Sequence, residues 1–146
     1  MNLPPRLAQS LGYAGLLPFL GFAVGVWALQ GYVQALCMQG FLVYSLAILC
    51  FLAGSLWGSA PRYAESARTP RLLVSNGVVI FAVLGFLTAQ PLIASLLLML
   101  GHLAQLWYEL NTLPRGGWYR TLRTRLTLVA VIAHLVYAAA LVQLNP

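Results

Sequence analysis

Five long apolar runs divide the chain, at residues 7–29, 34–57, 72–88, 91–109 and 126–144. Each is near the roughly 20 residues a helix needs to cross a hydrocarbon core. The runs are continuous and lack the alternation of a barrel strand, so each predicts a transmembrane helix. The pattern as a whole predicts an all-α, polytopic bundle of five helices forming one domain over residues 1–146. The third run, LLVSNGVVIFAVLGFLT, is the shortest and carries Ser75 and Asn76 near its start. The first follows Arg6 and ends near VWA, which imitates a secretion leader. It exceeds the roughly 7–15 apolar residues of such a leader and is expected to be a retained span.

The connections between runs sort by charge. QGYVQ and TAQP carry none, whereas Arg6, SAPRYAESARTPR and NTLPRGGWYRTLRTR hold all eight arginines. With five spans these two sets fall on opposite sides of a bilayer, and arginine-rich loops stay in the cytoplasm. The expectation is an inside amino terminus, with the carboxyl-terminal QLNP outside. The membrane is then the bacterial inner (cytoplasmic) membrane, or the mitochondrial inner membrane in a eukaryote. Trp57, Trp118, Tyr119, Arg120, Arg123 and Arg125 are the expected anchors in the headgroup layer.

Composition agrees with a lipid environment. The chain is 61% hydrophobic and 7% charged, where a soluble domain carries about 25% charged residues. A net charge of +6 raises nucleic acid as a partner, but the arginines flank apolar runs in short clusters. That placement suits anionic lipid headgroups, and no nucleic-acid partner is expected. Cys37 and Cys50 lie on one helix about 20 Å apart, too far to bond to each other.

Small residues within the runs predict close helix packing. GFAVG pairs Gly21 with Gly25, and GSLWG pairs Gly54 with Gly58. Depth in an antiparallel pair of helices puts Gly12 and Gly15, rather than Gly21, opposite Gly54. Packing within the chain is the first use of these strips, and a homo-oligomer or partner membrane protein the second. Pro18 removes a backbone donor and is expected to kink the first span.

Polar groups at depth are the candidates for chemistry. His102, Gln105 and Glu109 fall on one face of the fourth helix, and His134 shares a face of the fifth with Thr127. Counted inward from the arginine-bearing ends, the histidines sit roughly 10 and 13 Å deep. They are therefore expected to be able to meet. Cross-helix hydrogen bonding is the first reading; ligation of haem b, a pocket for a quinone or lipid headgroup, and, more weakly, zinc are alternatives. Glu109 is expected to pair with Arg115, Arg120 or Arg123, and Glu65 to make solvated pairs among Arg62, Arg68 and Arg71. No nucleotide-binding, hydrolase or metalloprotease motif is present, and no catalytic residue is assigned.

Three fragments together carry a resemblance: LGYAGLLPFLG, YSLAILCFLAGSLWG and WYRTLRTRLT. They resemble the domain of unknown function 3429 family, small bacterial and mitochondrial inner-membrane proteins that include transmembrane protein 69. By that resemblance the residues to watch are Pro18, Tyr44, Gly54, Trp57, Gly58, Trp118, Tyr119, Leu122, Arg123, Leu126 and Thr127. The chain departs from the pattern at Leu56, where a histidine or arginine often precedes the Trp-Gly pair. The resemblance implies an inner-membrane location and a multi-span form, and transfers no activity. The expected function is a non-catalytic accessory, assembly or stabilising component of a larger membrane complex, with a respiratory complex as one candidate. The alternative is a haem-, quinone- or lipid-binding protein using the two histidines. A transporter or channel is disfavoured by the lack of a charged pathway through the spans.

Overall fold

The computed structural model describes residues 5–144, which form helices joined by short connections, with no strand among them. Helix α1 (Pro5–Ala14) and α2 (Leu16–Ala28) together make the first long segment. They are followed by α3 (Gly31–Ser59), α4 (Glu65–Phe86), α5 (Pro91–Thr112) and α6 (Trp118–Leu144), with one turn of 3-10 helix at Ala60–Arg62. Five helical segments are long and apolar enough to cross a membrane.

The break between α1 and α2 follows from Pro18. Proline has no N–H for the carbonyl four residues back and crowds it, and that residue is Ala14, where α1 ends. The hydroxyl of Tyr44 on α3 donates to the carbonyl of Gly15 at 2.7 Å, so a neighbouring helix holds the break. Between α2 and α3 the chain reverses over Leu29 and Gln30, and Gly31 takes a φ of +63°, a backbone conformation that favours glycine.

Two helices begin well before the apolar runs that announced them, α4 at Glu65 and α6 at Trp118. Hydropathy finds the stretch suited to lipid, whereas the helix continues wherever its backbone is bonded. The Ala64 carbonyl accepts from the amides of Ala67 and Arg68. Glu65 in the first turn suits the positive end of the helix dipole.

The helices close a circuit: α2 packs on α3, α3 on α4, α4 on α5, α5 on α6, and α6 returns to α2. A further contact between α3 and α5 crosses the interior. Phe19, Phe41, Leu49, Leu98 and Tyr137 are among the side chains at its core. Lipid tails are as apolar as leucine, so helices in such a setting gain from close approach and hydrogen bonds more than from burial itself. Glycine allows that approach at Gly25 against Cys37, Gly40 against Phe22, Gly85 against Leu97 and Gly101 against Leu49.

The expected packing of Gly12 and Gly15 against Gly54 is corrected by the structure. Helix α1 rests on α6 and α2, not on α3. A Cβ on Gly12 would come within 2.9 Å of Leu126 and one on Gly15 within 3.9 Å of the Tyr44 hydroxyl, while at Gly54 and Gly58 it would meet nothing within 4 Å. The break before Pro18 frees α1 to lean toward α6. In the other strip, Gly25 is a packing contact and Gly21 is open.

Candidate functional site

Most of the polar side chains buried inside the bundle are gathered on three helices. From α5 come His102, Gln105 and Glu109, each at most 2% exposed; from α6 come Arg123, Thr127 and His134; and α3 contributes Ser45. The spacing on α5 puts its three on one face, which turns toward α3 and α6.

Two groups result. Toward the arginine-bearing end, Arg123 grips Glu109 side-on, Nε to Oε2 at 2.6 Å and Nη2 to Oε1 at 3.3 Å. Gln105 Nε2 donates to Glu109 Oε1 at 3.1 Å, and Arg123 Nη1 donates to Thr127 Oγ1 at 3.4 Å. This is the one ion pair within 4 Å among the described residues. Deeper in, one hydroxyl serves both histidines: Ser45 Oγ lies 3.2 Å from His102 Nε2 and 2.9 Å from His134 Nε2.

The second group has a direction. His134 Nδ1 is 2.7 Å from the Ala130 carbonyl, which can only accept, so Nδ1 carries the proton. In the neutral ring Nε2 then accepts, from the Ser45 hydroxyl, and Ser45 Oγ accepts in turn from His102 Nε2–H. The relay ends on a backbone carbonyl, which passes no proton onward. It clasps α3, α5 and α6 together.

The surroundings of the clasp are apolar and full. Phe19 lies edge-on to His102 at 6.0 Å and tilted toward His134 at 5.6 Å, and Phe41 meets His134 at 4.9 Å while stacking on Tyr137 at 4.3 Å. The expected meeting of the histidines occurs, with ring centroids 5.6 Å apart. A bis-histidine haem needs its porphyrin between the two Nε2 atoms. Ser45 occupies that position, so the arrangement does not fit haem b. Among the described residues no group of three or more His, Cys, Asp or Glu converges as a metal site would require.

The anchors expected in the headgroup layer fall into two classes. Trp57, Trp118, Tyr119 and Arg125 are exposed. Arg120 instead caps α5, donating to the carbonyls of Leu110 at 2.6 Å and Leu113 at 3.4 Å. Arg123 is 4% exposed and belongs to the interior. Among the described residues Glu65 makes no ion pair within 4 Å; of its expected partners, Arg68 donates to the carbonyls of Tyr63 and Pro61, and Arg71 is buried.

Ser45 and Arg71 are interior polar residues that escaped the sequence reading, as did Ser95, which is 0% exposed. Ser45 is a single small hydroxyl amid FLVYSLAIL, and its depth, close to that of the histidines, was the available signal. Arg71 looked like one more loop arginine. Its four-residue spacing from Ser75 marks it, because Ser75 faces α3 and donates to the Ala53 carbonyl at 2.6 Å.

A family model described as "Protein of unknown function (DUF3429)" matches residues 4–139. No curated protein and no solved structure matches the chain.

Proposed function

Since the chain belongs to the DUF3429 family of proteins of unknown function, we propose from its own geometry that it is a non-catalytic component of the inner membrane. In this role it assembles with, or stabilises, a larger membrane complex, of which a respiratory complex is one candidate. The observation that carries this reading is the outer face of α3. Gly54 and Gly58 are exposed, and a Cβ at either would meet nothing within 4 Å. A flat strip of this kind suits the close approach of a helix from another protein. The interior supports the same reading, because its histidines and its ion pair are engaged in joining helices.

The proposed orientation has the arginine-bearing end in the cytoplasm, or the matrix of a mitochondrion, by the charge bias of the loops. The amino terminus is then inside and the carboxyl terminus outside. A competing reading gives His102 and His134 to a haem or a quinone. It requires Ser45 to leave its place between them, and a visible spectrum of protein made with haem supplied tests the haem version.

The test of the main reading is native mass spectrometry of protein extracted gently from its source membrane, comparing wild type with Gly54→Leu/Gly58→Leu. Wild type is expected to carry an unrelated membrane protein that the variant loses. A variant that keeps every association overturns the reading.

A further inference from the structure

At the arginine-bearing end, a cavity of about 230 Å³ opens between the α3–α4 and α5–α6 connections. Arg62, Tyr63, Arg71 and Tyr119 line it, with Ser59 and Glu109. Arg71 is the unusual member. It is 3% exposed, yet no carboxylate lies within 4 Å of it among the described residues. Among the described residues, Nη2 donates to Ser59 Oγ at 3.4 Å and the buried Nε has no acceptor. The guanidinium lies over the Tyr63 ring, 3.8 Å from the centroid, a contact that does not neutralise its charge.

A buried charge is costly unless it is paired and hydrogen-bonded. The carboxylate on the cavity wall is not available for that purpose. Both oxygens of Glu109 are taken by Arg123, and one by Gln105 as well. Its charge is therefore answered from behind, and the cavity is left with the positive charges of Arg62 and Arg71. A planar guanidinium with a buried donor unfilled, a second arginine at the mouth and a phenol on the wall are the chemistry that holds a phosphate oxyanion. Basic pockets between helices at a membrane border take phosphate headgroups in this manner.

We propose that the cavity bounded by Arg62, Arg71 and Tyr119 is a binding site for an anionic phosphate group. Its source is either the headgroup of an anionic phospholipid or free phosphate. Arg71 grips the oxyanion from the buried side and Arg62 closes over it from the exposed side. Ser59 on its wall adjoins Gly58 in the chain, but neither Gly54 nor Gly58 lines the cavity, and the site does not depend on their face finding a partner.

The test is titration of the full-length protein, in micelles of an uncharged, phosphate-free maltoside detergent, with dioleoylphosphatidylglycerol, read by native mass spectrometry. Arg71→Gln and Arg62→Gln are compared with wild type and with Arg125→Gln, an exposed border arginine outside the cavity. One retained lipid per chain is expected in wild type and Arg125→Gln, with apparent affinity about fivefold or more weaker in each cavity variant. Arg62 is exposed, so its variant tests the site even if Arg71→Gln fails to fold. Equal loss in all three variants, or none in Arg62→Gln, overturns the proposal. Inorganic phosphate is then added in competition. Displacement of the lipid identifies free phosphate as a ligand, and resistance to it identifies the lipid headgroup.

Discussion

Arg123 and Glu109, fourteen residues apart in the chain, close a two-point ion pair inside the bundle with 4% and 2% of their surface exposed. The pair ties α5 to α6 one turn inside their connection, and Gln105 and Thr127 take part in its hydrogen bonding. Its burial makes it a different object from a surface salt bridge. Each charge depends on the other for solvation.

Removing one partner is therefore expected to be more damaging than removing both. Arg123→Met or Glu109→Leu alone should lose about 3–5 kcal/mol of stability, and the double variant less than either. Denaturant unfolding in detergent micelles, followed by circular dichroism, measures all three. A double variant as unstable as the sum of the singles would contradict a paired origin for the effect.

Ser45 should behave as a shared joint. Ser45→Ala leaves both His102 Nε2 and His134 Nε2 buried without their present partner. A loss of about 1–3 kcal/mol is expected. Replacing Ser55, an exposed serine that bonds only to its own helix, should change stability by less than about 0.5 kcal/mol.

The Tyr44 hydroxyl supports the interruption of the first segment. Tyr44→Phe keeps the ring packed edge-on to Phe19 at 5.3 Å and removes only the bond to Gly15. The expected stability loss is about 0.5–1.5 kcal/mol. Hydrogen exchange should reveal faster exchange of amides at the α1–α2 junction, with α4 and α5 unchanged. Uniform acceleration across the bundle would mean that the bond does more than hold the break.

Glycines of the two strips should separate cleanly. At Gly25 a Cβ would come within 2.5 Å of Cys37 Sγ and 3.3 Å of Cys37 Cβ, so Gly25→Ala requires Cys37 to turn aside or α3 to shift by a few tenths of an ångström. About 1–3 kcal/mol of destabilisation is expected. Gly54→Ala, which meets nothing within 4 Å in the middle of α3, should leave the isolated chain no less stable than wild type, with a gain of up to about 1 kcal/mol. Parallel thermal unfolding of the two proteins makes the comparison.

Much of the architecture was legible in order along the chain. The five apolar runs announced the five long helices because continuous hydrophobicity is a local property. Pro18 announced the break in the first segment for the same reason, since the lost donor and the crowded carbonyl lie within one turn. Helix ends were less legible: polar residues such as those of TLRTR sit in α6 as readily as in a loop, and hydropathy is blind to that difference.

Facing relationships belong to another level. Depth counting brought His102 and His134 to one layer, but rotation about each helix axis is set by how its ridges seat against several neighbours at once. That seating inserted Ser45 between the histidines, chose Arg123 over Arg115 and Arg120 as the partner of Glu109, and turned Gly54 outward. It also drew Arg71 from an arginine-rich loop into a cavity wall. Sequence alone determined which segments are helical and which end of the bundle carries the positive charge, because both follow from residues close in the chain. Only the tertiary structure decided which buried polar groups satisfy one another, because hydrogen-bond partners on different helices are selected by packing and not by sequence distance.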